Sequence, residues 1–211
     1  MVIATRDRRD GLLGVLDRLD ALPPTERPPV VVVDNGSSDG GPAVVRAAHP
    51  GVQVVELGVN RGAPARDVGV VAATTPYVAF ADDDSWWAPG ALTAAADAFD
   101  ARPRLGLVAA RVLVGPAERV DTVSAAMAAS PLPRPPDGGA GPAVLGFLAC
   151  GAVVRRRAFL QAGGFSPVTF FMGEEGALAL DLAAAGWELA YVDRVVAHHH
   201  PAPSQRDPAE R

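Results

Sequence analysis

Tyr77-Val78-Ala79-Phe80-Ala81-Asp82-Asp83-Asp84 joins an apolar segment to three consecutive carboxylates, and that junction decides the fold. Tyr77 to Phe80 reads as a buried strand, so the acids stand at its C-terminal end. Adjacent negative charges repel, and most strongly where water is scarce. A fold keeps such a cluster at a strand end mainly where a cation sits. Hard ions such as Mg2+ or Mn2+ bind through one or two carboxylates plus substrate phosphates. The other reading is a solvated turn, with Asp84 or Ser85 capping a helix that starts near Pro89-Gly90-Ala91-Leu92. The residues alone leave both readings open.

Upstream of this junction, strands and helices alternate. Met1 to Ala4 is a short strand running into the polar Thr5-Arg6-Asp7-Arg8. Gly11 to Leu22 carries Leu12, Leu13, Val15, Leu16 and Leu19 at helical spacing. Val30 to Val33 is an unbroken β-branched run, typical of a parallel strand buried on both faces. Asp34-Asn35-Gly36-Ser37-Ser38-Asp39-Gly40 is a polar turn, and Pro42 opens a helix to about Ala48. Val52 to Leu57 is the next strand, Asn60-Arg61-Gly62 a turn, and Pro64 to Ala73 a helix. The order β-α-β-α-β-α-β predicts a mostly parallel sheet covered by helices. Ligands of such sheets lie beyond the carboxyl ends of the strands. The polar segments at 5–8, 34–39, 60–62 and 82–84 all follow strands and are expected on one edge.

The second half is less regular. Leu105 to Val114 reads as a strand pair or one long strand, and Phe147 to Val154 as another apolar strand. Glu174 to Ala185 reads as a helix. Tyr191-Val192 and Val195-Val196 precede His198-His199-His200. Pro131 to Pro142, rich in Pro and Gly, reads as a mobile loop. The tail from Pro201 is polar. No internal repeat and no second domain are visible.

Composition narrows the classes. The 211 residues suffice for one domain with a sizeable core, and 49% hydrophobic with 20% charged residues is ordinary for a globular protein. A net charge of -5 gives no footprint for nucleic acid. No apolar run approaches a transmembrane span, which leaves room for peripheral membrane contact only. Arg6 to Asp10 interrupt the start before a signal peptide could form. The single cysteine, Cys150, excludes an internal disulfide framework. These features fit a cytoplasmic protein. All 19 basic residues are arginine, the mark of a GC-rich genome, so individual Arg, Ala and Pro choices carry little functional weight.

The order of the motifs resembles a family 2 glycosyltransferase of the GT-A fold. The matching pieces are Ala4-Thr5-Arg6-Asp7-Arg8, Val33 to Gly40, Asn60 to Gly69, Phe80 to Asp84, Gly163-Gly164-Phe165, Phe171-Met172-Gly173-Glu174-Glu175 and the terminal histidines. The resemblance implies one Rossmann-like α/β domain over residues 1–200, with a central mostly parallel (mixed) sheet flanked by helices. Residues 1–110 would form the nucleotide-sugar-binding half and 111–200 the acceptor-binding half, with 201–211 a polar tail. It also implies an inverting, metal-dependent transfer of sugar from a nucleoside-diphosphate donor (UDP, GDP or dTDP) to an acceptor hydroxyl of unknown identity.

By that resemblance, Asp82 and Asp84 end a DXD motif. Asp84 holds Mn2+ or Mg2+, Asp82 faces the ribose or assists the metal, and Asp83 lies at the donor site. Asp34 takes the donor base, since a carboxylate accepts the N–H of a pyrimidine or guanine. Thr5, Arg6, Asn60, Gly62 and Arg66 line the nucleotide pocket, though Arg66 also reads as a helix-surface arginine. Glu174-Glu175 stands where relatives carry a Glu-Asp pair, and Glu175, with Glu174 as the neighbouring candidate, is the general base. Two acids at a helix start equally suit the macrodipole. His198 completes the metal site, the register among His198, His199 and His200 being open by one or two positions. Gly164-Phe165-Ser166-Pro167 departs from the usual Gly-Gly-Phe-Asp-Glu. Trp86 and Trp87 are candidates for core packing and for stacking on sugar. Two other functions are compatible with these residues. One is a degenerate module that binds a sugar nucleotide or a partner. The other is a sugar nucleotidyltransferase, which the absence of lysine disfavours.

Overall fold

The computed structural model describes residues 1–135, 137–170 and 172–201. Three βα units and a fourth strand open the chain. Strand β1 (Val2–Thr5) leads to helix α1 (Arg9–Asp20), β2 (Val31–Asp34) to α2 (Gly41–Ala48), and β3 (Gln53–Glu56) to α3 (Ala65–Ala72). Strand β4 (Tyr77–Ala81) ends at the acids. In α1 the buried Leu12, Val15, Leu16 and Leu19 form a single stripe, which the 3.6-residue period turns toward the sheet. All four residues of β2 are buried, as expected for a strand covered on both faces.

The acids do not cap a helix. They turn into a short strand, β5 (Ser85–Trp87), and α4 (Ala91–Ala101) starts only after Gly90 in the left-handed region (φ 74°). Next come β6 (Leu105–Val114), β7 (Arg119–Val120), α5 (Thr122–Ala128), β8 (Ala152–Arg155), α6 (Arg156–Ala162), α7 (Glu174–Ala184) and β9 (Glu188–His199). Leu105 to Val114 is thus one long strand. The expected strand from Phe147 is shorter, because Ala149–Gly151 forms a 3-10 turn and pairing begins at Ala152. A Cβ on Gly151 would collide with Val112, so glycine lets this turn lie against β6. The two apolar patches near the end belong to a single 12-residue strand. The Pro/Gly-rich loop is pinned along it: Tyr191 N donates to Pro142 O (2.9 Å) and Val144 N to Leu189 O (3.1 Å). The tail at 202–211 and Phe171 lie outside the described residues.

The sheet runs β3-β2-β1-β4-β8-β6-β9-β5, with β7 on the flank of β6. Its first four strands are parallel, β8 is antiparallel to both neighbours, and β9 is parallel to β6. Strand β5 follows β4 by three residues, yet it pairs with β9 at the other end of the order. The sheet must therefore curl until the end of β9 reaches the acid loop. Two cores fill its faces. One packs Leu12, Leu16, Val45, Trp87 and Phe99 from α1, α2, β5 and α4. The other packs Phe80 against Phe159 and Phe165 (centroids 5.7 Å from each) with Leu178 and Leu182 from α7. Truncating one such ring to alanine costs about 3–5 kcal/mol. Among the described residues no helix is long and apolar enough to cross a membrane.

Candidate active site

The carboxyl ends of β1, β2 and β4 bring Thr5, Asp34 and Asp82 to Asp84 to one edge, as the βα alternation predicts. The three acids have different partners. Asp82 forms an ion pair with Arg66, its oxygen accepting from Nη2, and its backbone N donates to Ser85 Oγ (2.7 Å). Asp83 turns inward: Thr5 Oγ1 donates to it (2.8 Å), and so does Arg8 Nε (3.2 Å). Burial pushes the Asp83 carboxyl up to about 6, against those two bonds, and the neighbouring Asp84 and Asp82 push it the same way. Asp84 meets Arg8 Nη2 (3.4 Å) on one oxygen and His199 Nε2 (3.4 Å) on the other.

Arg66 is not a surface arginine. It is buried on α3, where desolvation opposes its charge, but Asp82 and then Glu175 more than offset this and its pKa is raised. Its Nε has no partner. Asp34 is also buried. One oxygen accepts from Ser37 N (3.2 Å), and the other, Oδ1, has no partner among the described residues. An unpaired buried carboxylate oxygen costs free energy, and here it is offered to the edge where the strands end. Arg6 is exposed and pairs with Asp7 (3.6 Å). Asn60 Oδ1 accepts from Gly62 N (3.0 Å), and Asn35 clasps the same loop through Arg61 N (2.7 Å) and Gly62 O (3.2 Å). Gly62 has a positive φ (66°), and a Cβ there would strike the Phe170 carbonyl, which accepts from Ala63 N (2.9 Å). The turn after β3 is thereby fastened to the segment that precedes α7.

Helix α7 opens on the acidic pair. Glu174 is buried and its Oε2 has no partner. Glu175 Oε1 accepts from Ala149 N (3.0 Å). Burial raises the Glu175 pKa. The Ala149 N–H opposes this, Glu174 adds to it, and the charges of Arg66 and Asp82 are felt as well. Glu175 is thus the member of the pair in electrostatic reach of the acid cluster. Cys150 lies in the same neighbourhood. Its thiol is buried and pushed up, first by desolvation and then by Asp82 and Asp84, so it is an inert packing group.

The histidine register differs from expectation. His198, the expected partner of the acids, stacks on Trp86 (5.4 Å) and its Nδ1 lies 3.0 Å from Glu118. His199 is the one that faces Asp84. The cause is the pairing of β5 with β9: Trp86 opposes His198 and Ser85 opposes His199, and directly opposed side chains share a face. Trp86 is further covered by Arg18 (4.2 Å to the ring), and buried Trp87 donates its indole N–H to Phe80 O (3.1 Å). Both tryptophans are engaged by protein.

Among the described residues no three His, Cys, Asp or Glu side chains are arranged as a ready metal cage. Asp84 and His199 could hold a divalent ion jointly, a carboxylate and an imidazole with the remaining positions open. This fits Mn2+ or Mg2+ taking its other oxygens from a diphosphate and water. Sequence reasoning did not single out Arg8 or Asn35, and left His199 as one of three adjacent candidates. The first two lie within the quoted motifs, but only their partners distinguish them from neighbouring residues.

Asp67, next to Arg66 on α3, ties the turn after α6 to the site by accepting from Phe165 N (3.0 Å). Burial lifts its pKa from 3.8 to about 6. A raised carboxyl favours the folded state fully below the unfolded value, and the benefit is lost as pH climbs through the folded value. The metal-free protein should therefore lose stability from about pH 4 to pH 7, with Asp83 acting in the same direction, and Asp67→Asn should flatten part of that loss. Denaturant midpoints across this range check it. An unchanged slope in the variant would remove Asp67 as a source.

Comparison with known proteins identifies the family. The Glycosyl transferase family 2 model matches residues 1–164. The N-acetylglucosaminyl-diphospho-decaprenol L-rhamnosyltransferase of Mycobacterium tuberculosis is 31% identical over 224 aligned positions, covering 88% of this chain and 71% of that protein. The mannosyltransferase PcManGT from Pyrobaculum calidifontis, solved with GDP-Man and Mn2+, matches 97% of this chain with a TM-score of 0.72 at 26% identity. S. aureus TarS in complex with UDP-GlcNAc shares the fold (TM-score 0.72, 97% of this chain) at 17% identity. The chain spans 56% and 58% of those two solved chains. The match to glycosyltransferases sets aside the nucleotidyltransferase alternative. The chain belongs to glycosyl transferase family 2 and is a GT-A glycosyltransferase.

Proposed function

We propose that the protein is a divalent-metal-dependent, inverting transferase that moves a sugar from a UDP-, GDP- or dTDP-sugar to an acceptor hydroxyl. The observation that carries this reading is the placing of Asp34 and Asp84 at one sheet edge, with Glu175 in electrostatic reach of Arg66 and Asp82, each with a distinct capacity. Asp34 Oδ1, buried and unpartnered, would accept an N–H of the donor base. Thr5 and Asp83 floor the pocket beside it. Asp84 and His199 would hold the ion, which when bound supplies charge neutralisation for the departing diphosphate. Arg66 holds Asp82 in place through their ion pair. Glu175 would take the proton from the acceptor hydroxyl as that oxygen attacks the anomeric carbon. Its raised pKa suits proton transfer nearer neutrality. A single displacement with one base inverts the anomeric configuration. The relatives support the donor class: PcManGT was solved with GDP-Man and Mn2+, and TarS with UDP-GlcNAc.

The test is a thermal-shift panel of UDP, GDP and dTDP with Mn2+ and with EDTA. At least one nucleotide should raise the melting temperature by several degrees, and more with Mn2+ than with chelator, because a ligand that binds only the folded state stabilises it. Equal shifts in metal and chelator would remove the acid cluster from a metal role. No shift with any nucleotide would overturn the donor assignment.

A further inference from the structure

Among the described residues, Arg8 is the one cation that touches two acids of the cluster. Its guanidinium reaches Asp83 Oδ1 (3.2 Å) through Nε and Asp84 Oδ2 (3.4 Å) through Nη2. It sits at the boundary between β1 and α1, as the residue before the first helical turn, and makes no side-chain cap there. The side chains of the two acids are 13% and 20% exposed, whereas that of Arg8 is 40% exposed. The anions are therefore fixed and largely desolvated, while the cation that bridges them lies on the solvent side on a long flexible stem. Arg66, by contrast, is buried against Asp82 and belongs to the wall.

We propose that Arg8 is a displaceable counter-ion, which holds Asp83 and Asp84 in the metal-free protein and makes metal capture depend on the donor diphosphate. This rests on the reading of Asp84 as a metal ligand. With Arg8 and Arg66 in place, two of the three carboxylates are already neutralised. A dication entering alone must either push the guanidinium off Asp84 Oδ2 or sit on the opposite oxygen, beside His199, with that positive charge close by, and both are unfavourable in a partly buried site. A dication arriving with a diphosphate meets no such obstacle. The diphosphate brings its own negative charge, and the released guanidinium has a new anion to bind, for which its planar donor fork is well shaped. Asp83 keeps Thr5 as a partner when Arg8 leaves, so the inner wall of the pocket persists. Donor and metal would thus load together, and the empty site would not scavenge ions.

The experiment is a Mn2+ titration followed by the EPR signal of the free ion, on wild type, Arg8→Gln and Arg8→Lys, with and without nucleoside diphosphate. Wild type should bind Mn2+ weakly alone and strongly with the nucleotide. Arg8→Gln should bind Mn2+ alone about tenfold more tightly than wild type, since the competing charge is gone. It should also lose part of the gain that the nucleotide confers. Arg8→Lys keeps the charge but not the two-point bridge, and should fall between them. A gain in metal affinity cannot come from damage to the fold, so a purely structural role for Arg8 would not produce it. Mn2+ bound alone with equal or lower affinity by Arg8→Gln would overturn the counter-ion role. Mn2+ bound by neither protein, even with UDP, GDP or dTDP present, would overturn the metal reading beneath it.

Discussion

Glu175→Gln should bind donor nucleotide like the wild type and turn over about a thousandfold more slowly, within the range expected for losing a general base. The amide keeps the shape of the side chain and can still accept from Ala149 N through its carbonyl oxygen, so the turn at Ala149–Gly151 should hold. It cannot take up the acceptor proton. The loss should appear in kcat with KM for the donor little changed, as for an interaction made only in the transition state. The pH profile supplies a second readout. The carboxylate is the active form and burial raises its pKa, so the wild-type rate should rise with pH through a value above that of an ordinary glutamate. The variant should lack that limb. If Glu174→Gln were dead and Glu175→Gln active, the base would be the buried neighbour. Full activity in both would end the assignment of a base to this pair.

Asp84→Asn should remove the metal-dependent part of donor binding and slow transfer by about a hundredfold or more, since the ion is worth several kcal/mol on a developing phosphate charge. The asparagine retains the backbone carbonyl that accepts from His200 N (2.8 Å), so the end of β9 should remain in place. Thermal shifts with UDP, GDP and dTDP in Mn2+ should fall to the level seen in EDTA. A variant that still responded to Mn2+ would place the ion on Asp82 or Asp83 instead. His199→Ala should show the same trend at smaller amplitude, and His198→Ala should not, because its ring is committed to Trp86 and Glu118.

The parallel half of the sheet was legible because it rests on local rules: β-branched runs buried on both faces, each followed by a polar turn. The apolar stripe of α1 and the placing of Thr5, Asp34 and the acids on one edge follow from the same rules. What could not be read depends on partners distant in sequence. Ser85-Trp86-Trp87 after an acid run looks like a helix approach, and becomes a strand only because residues 197–199 come to lie beside it. Three adjacent histidines carry no register of their own, and the pairing with β5 supplies it. Asp193 and Arg194 separate two apolar patches, and they fall where the pairing of β9 with β6 slips between Ala110 and Arg111, so one strand runs through both patches. Arg8 and Arg66 could not be told from other arginines in an arginine-rich chain until burial and carboxylate partners distinguished them. Asn35 looked like a turn former, and it is one. That it also clasps the loop at Arg61 and Gly62 is a property of the fold.

The strand order carries a consequence for biosynthesis. Strand β4, which presents the acids, gains its second neighbour only when β8 has been made, some seventy residues later, and β5 waits for the last residues of β9. A ribosome-bound chain with only its first hundred residues exposed has an unpaired β4 edge beside the run of carboxylates. Such an edge invites pairing with other chains, and contacts this distant in sequence close slowly. The acid-bearing edge, although encoded almost wholly in the first two fifths of the chain, is the last part of the molecule to be completed. A stop codon placed before β9 would cost the protein the strand that holds its catalytic edge together, although every donor-site acid would still be present.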